Sequence, residues 1–124
     1  MQQQAVQAYQ QTAKQTASGV DLEANLLSKA ARDLKEIQGN WEEGKADIDR
    51  LLVYNRKLWS VFLASVTRQD SPLPREIREN VANLGIFVLS ETLRIQTAPA
   101  PEKLEVLINI NRQIALGLLA TPKE

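Results

Sequence analysis

Ile48, Leu51, Leu52, Asn55, Trp59, Phe62 and Val66 recur at steps of three and four. That spacing places them on one face of a helix, and no stretch of the chain sustains the alternation of a half-buried strand. A second stripe of the same kind, Leu104, Leu107, Ile108, Asn111, Ala115 and Leu118, lies near the other end. Each has an asparagine at its centre. A buried amide without partners costs roughly 1–3 kcal/mol, so Asn55 and Asn111 need a physical reason to stand where Leu would be expected.

The rest of the chain punctuates into helices in the same way. A glutamine-rich segment, about Gln3–Ala17, carries only Ala5, Ala8, Tyr9 and Ala13 as its stripe and needs docking to be stable. Ser18-Gly19-Val20-Asp21 interrupts it and offers capping groups. A second helix is expected over Asp21–Gln38 with Leu27, Ala30, Leu34 and Ile37 inward. Gly39-Asn40 suits a left-handed stop, and Trp41-Glu42-Glu43-Gly44 reads as a connector. The third helix covers about Ala46–Arg68, where Val53, Leu58, Val61 and Leu63 broaden the stripe. Pro72-Leu73-Pro74 ends it and opens a fourth over Pro74–Gln96. Ala98-Pro99-Ala100-Pro101 is a stiff link into a fifth, which runs to about Ala120. Gly85 and Gly117 sit in mid-helix, where glycine costs about 1 kcal/mol against Ala, and each is expected to mark a close approach. With 124 residues, no repeat and no linker, residues 1–124 form a single domain, with 121–124 a frayed tail. The fold class is all-α, a single compact bundle of about five helices.

Composition narrows the chemistry. The chain has no His and no Cys, and its 15 basic residues equal its 15 acidic ones. Disulfides and thiolate metal sites are therefore absent, and no Ser or Thr has an imidazole to activate it. Glu42, Glu43, Asp47 and Asp49 lack the spacing of a calcium loop and read as a solvated connector. Lys29, Lys35 and Lys57 read as surface residues. Arg75 and Arg78 alternate with Glu76 and Glu79, which favours surface ion pairing over a basic patch that Arg112 would complete. No enzyme, cofactor or metal is expected. A neutral chain is poorly suited to neutralising phosphates, so direct nucleic-acid binding is disfavoured. A signal peptide and a membrane span of roughly 18 apolar residues are both missing, which fits a cytoplasmic protein.

What remains is a binding surface. Trp59 and Phe62 belong to the core, whereas Tyr54 can pack its ring and still present its hydroxyl to a partner. Asn55 and Asn111 have two readings: a hydrogen-bond network that fixes helix register, or groups that bind the backbone of an incoming peptide.

Several motifs occur in a characteristic order: Ala8-Tyr9, Leu26-Leu27 with Ala30-Ala31 and Leu34, Tyr54-Asn55-Arg56-Lys57-Leu58-Trp59, Pro72-Leu73-Pro74, Asn83-Leu84-Gly85-Ile86-Phe87-Val88, and Ile108 through Leu118. Together they resemble the FlaF family of alphaproteobacterial flagellar biosynthesis proteins over nearly the whole chain. Trp41–Gly44 lies outside those motifs. The resemblance implies a cytoplasmic flagellin secretion chaperone that promotes flagellin synthesis and export. It also implies action opposite FlbT, the flagellin-mRNA regulator, so an adaptor working mainly through FlbT is the alternative. On this reading Tyr54, Asn55, Asn109 and Asn111 are candidates to set the register of a bound flagellin helix. Leu107, Ile110 and Ile114 would supply apolar contact.

Overall fold

In the computed structural model the described residues are 19–120. They form helix α1 (Gly19–Gly39), a single turn α2 (Trp41–Gly44), α3 (Ile48–Val66), α4 (Arg75–Thr97) and α5 (Leu104–Leu119), with 3-10 turns at Lys45–Asp47 and Pro101–Lys103. No strand occurs among them, and the all-α bundle expected from periodicity is the fold observed. The expected helix Gln3–Ala17 and the tail 121–124 lie outside the described residues.

Local chemistry accounts for the boundaries. Proline cannot continue a preceding helix but suits the start of the next. Accordingly Pro74, with ψ 148, caps α4, and its carbonyl accepts from Arg78 N at 3.0 Å. Pro101 opens the 3-10 turn before α5. Two expectations need correction. Gly39-Asn40 does not adopt the left-handed stop, since no residue among those described has positive φ. Instead Asn40 N donates to Glu36 O and Ile37 O, both at 3.1 Å, and Asn40 O accepts from Gly44 N at 2.8 Å. The chain therefore re-enters a helical turn at once, and Trp41–Gly44 is helical rather than an irregular connector.

Side-chain bonds from three residues set the direction of each neighbour. Gln38, at the end of α1, donates to Pro101 O (3.1 Å) and Glu105 (3.0 Å) at the start of α5. Ser65, at the end of α3, donates to Glu23 at the start of α1 (3.1 Å). Gln96, at the end of α4, donates to Asp49 at the start of α3 (3.0 Å). Adjacent helices are thus antiparallel, while α3 and α5 lie parallel across the diagonal. Packing is uneven around the ring: α1 and α5 are the most extensively packed pair, then α3 and α4, then α1 and α3, with α4 and α5 meeting least.

The core contains Leu27, Leu34, Leu52, Trp59, Phe62, Val81, Val88, Ile95, Leu104, Leu107, Ile108 and Leu118, all almost fully enclosed. Trp59 and Phe62 meet edge to face, with centroids 5.5 Å apart. Gly85 does mark a close approach, because a Cβ there would lie 2.8 Å from Leu63 Cγ. At Gly117, by contrast, a Cβ meets no atom of the described residues within 4 Å.

Candidate functional site

Asn55 and Trp59 are one helical turn apart on α3, so their side chains leave the same face. Across the core they meet Asn111 of α5. Trp59 Nε1 donates to Asn111 Oδ1 at 2.8 Å, and Asn111 Nδ2 donates to Asn55 Oδ1 at 2.7 Å. All three residues have zero exposure. An indole N–H can only donate, so Asn111 must turn its carbonyl to Trp59 and its amide to Asn55. The direction of the relay is fixed, and Asn55 Nδ2 is left at its end as a buried donor without an acceptor.

The seven sequence-derived candidates therefore divide. Asn55, Leu107 and Asn111 are sealed in the core, and the two asparagines form the hydrogen-bond network that was one of their two readings. Tyr54 and Asn109 are exposed, and Ile110 and Ile114 are half-buried. Tyr54 lies beside the Lys29–Asp33 pair of α1 (2.8 Å). Desolvation raises its pKa most; Lys29 lowers it and Asp33 raises it. It is thus on the α1–α3 side, away from the α5 candidates.

Helical spacing places the α5 candidates on an edge. Glu105 faces α1 through Gln38, so Val106, Ile110 and Ile114, at steps of four, run along the opposite edge towards α4. On α4, Gly85 and Gln96 mark the side facing α3, which puts Leu84 and Phe87 on the side facing α5. Leu84, Val106, Ile110 and Ile114 are partly buried against the core, and Phe87 is 44% exposed. The thinnest helix junction in the bundle is consequently bordered by apolar side chains. Its rim carries the exposed amides Asn80, Asn83 and Gln113, whereas Asn109, one turn on from Glu105, lies on the edge towards α1.

Sequence reasoning missed three features here. From Asn80 to Ser90, α4 has no charged residue on any side, although one face points to water. Soluble helices normally carry charge there. Ile86, at 69% exposure, is the most exposed large hydrophobic residue among those described. The charge gap was readable in the sequence and leaves an apolar face on the outside of α4. Second, Glu23 is buried between α1 and α3, bonded to Ser65. Desolvation raises its pKa to about 7 against a smaller opposing effect of the Ser65 bond. Its spacing from Val20 and Leu27 placed it in the α1 stripe. Third, Arg78 extends Nη1 towards Arg68 O beyond the C-terminus of α3 (3.4 Å), rather than joining a basic patch. Arg75 pairs with Glu79 at 2.9 Å, an exposed contact of small energetic weight. Among the described residues no three His, Cys, Asp or Glu side chains converge to hold a metal, and no helix is long and apolar enough to cross a membrane.

The family model for flagellar protein FlaF matches residues 5–118, which span the described helices apart from the last residue of α5 and include both asparagine stripes. The chain belongs to the FlaF family. No curated protein and no solved structure matches it. For this FlaF-family protein the matched span includes the relay and the whole α4–α5 seam, so both are parts of the family domain and not additions to it.

Proposed function

We propose that this protein binds flagellin as a secretion chaperone, supporting flagellin synthesis and export through the flagellar type III system without catalysing a reaction. The observation that carries the reading is the α4–α5 seam: an apolar, amide-rimmed strip along the least packed junction of the bundle. Flagellin ends are long amphipathic segments that complete their folding only in the filament, and free subunits risk premature association. A helix of that kind can lay its apolar stripe along Leu84, Phe87, Ile110 and Ile114, in the helix-in-groove mode. The rim amides Asn80, Asn83 and Gln113 lend themselves to register-setting hydrogen bonds, with the carboxylate of Glu91 beside them on α4. A modest apolar strip also suits a complex that must release its cargo.

The test is calorimetry and size exclusion with monomeric cognate flagellin, and separately with FlbT. Stoichiometric binding to flagellin, lost on removing its helical termini, is the expected result. Binding to FlbT but to no flagellin segment at micromolar concentration would sink the chaperone reading and transfer the role to an FlbT-dependent adaptor.

A further inference from the structure

The connections between helices are distributed unevenly between the two ends of the bundle. Call one end the hinge end: there lie the C-terminus of α1, the N-terminus of α3, the C-terminus of α4 and the N-terminus of α5, tied by the Gln38 and Gln96 bonds. Residues 40–47 cross from α1 to α3 at this end, and residues 98–103 cross from α4 to α5 at the same end. At the opposite end, residues 67–74 join α3 to α4, within one pair. The two best-packed pairs, α1/α5 and α3/α4, are thus linked covalently only at the hinge end.

We propose that the bundle works as tongs, with α1/α5 and α3/α4 as rigid arms that part at the end remote from the two crossings, latched by the Trp59–Asn111–Asn55 relay. Each arm contains buried small residues: Ala24, Ala31 and Ala115 in one, Gly85 beneath Leu63 in the other. Between the arms, by contrast, the closed state holds buried polar groups. The relay spans them and leaves Asn55 Nδ2 without an acceptor. Near the open end, the Glu23 carboxyl accepts a hydrogen bond from Ser65 Oγ across the arms at 3.1 Å. Parting the arms hydrates both groups, which offsets part of the apolar exposure it causes, whereas separating an arm internally exposes apolar surface with no such return. Opening also separates the two less packed junctions of the ring, α1–α3 and α4–α5. This motion does not depend on the flagellin reading, although it would widen the same seam.

Trp59 supplies a direct probe, because its indole proton is in the latch and the chain has only two tryptophans. Hydrogen exchange of the full chain, followed by ¹⁵N NMR over a series of sub-denaturing urea concentrations, reads the event residue by residue. The tongs predict that the Trp59 indole exchanges at least about tenfold faster than the central amides of α1 and α3, with a distinctly weaker urea dependence. Exchange of the Trp59 indole at the rate and urea slope of those amides would mean that the core opens only by global unfolding, and would overturn the proposal. Glu23→Leu, which removes the buried carboxyl at the open end without touching the relay, should slow the indole at pH 7.5 by about tenfold or more. An unchanged or faster indole in a variant of intact helicity would count equally against it.

Discussion

The indole nitrogen of Trp59 donates to the side-chain carbonyl of Asn111 at 2.8 Å, and this one bond orients both asparagines of the core. Because the donor cannot act as an acceptor, the relay has a head and a tail, and the two amides are not equivalent.

That inequality is measurable. Asn111→Leu strands the Trp59 N–H and the Asn55 carbonyl together and should cost about 2–4 kcal/mol. Asn55→Leu strands only Asn111 Nδ2 while removing the existing orphan, and should cost no more than about 1 kcal/mol. Urea titrations with tryptophan fluorescence give both values; equal losses would show that the relay has no direction.

Stability should fall with rising pH in a defined window. The folded protein holds the Glu23 proton up to about pH 7, while the unfolded chain releases it near 4.5. Between those values the native state binds more protons, so its stability is highest at the acid end and declines until the folded group has ionised. The loss contributed by this residue is on the order of 1–3 kcal/mol across that range. Thermal melts of the wild type and Glu23→Gln from pH 4.5 to 8 test it: the Gln variant should lack this slope.

The two mid-helix glycines should respond oppositely to alanine. Gly85→Ala places a methyl group against Leu63 and should destabilise by about 1–3 kcal/mol, despite its better helix propensity. Gly117→Ala meets nothing within 4 Å among the described residues and should gain up to about 1 kcal/mol. A comparison of urea midpoints decides both.

Phe87→Glu should weaken flagellin binding by about tenfold or more while changing stability by less than about 1 kcal/mol, since the ring is 44% exposed. Tyr54→Ala, on the α1–α3 side, should leave affinity unchanged. Calorimetry with circular dichroism as the folding control distinguishes the seam from any other surface; the reverse pattern would relocate the site.

Much of the helical architecture was legible in the sequence because it is local. Steps of three and four identified the inward faces of α3 and α5, and Pro74 and Pro101 fixed where α4 and the turn before α5 begin. The ordered motifs also carried the FlaF-family assignment, which the match over residues 5–118 shows. The candidate site was less legible. Periodicity says that Asn111 faces inward, yet it cannot say whether its amide meets a partner of this chain or a ligand. Leu107 appeared suited to apolar contact with a partner, but it is enclosed by the bundle itself.

By itself, then, the sequence determined the helices, their stops, their buried stripes and the charge gap from Asn80 to Ser90, all of which depend on neighbours within a turn or two. Only the tertiary structure decided that Asn55 and Asn111, 56 positions apart, share a hydrogen bond. It alone placed both inter-arm crossings at one end and brought Phe87 to the same seam as Ile110 and Ile114. The physical reason is that helical periodicity orients a side chain about its own axis, whereas the identity of the facing helix follows from how all the stripes are buried together.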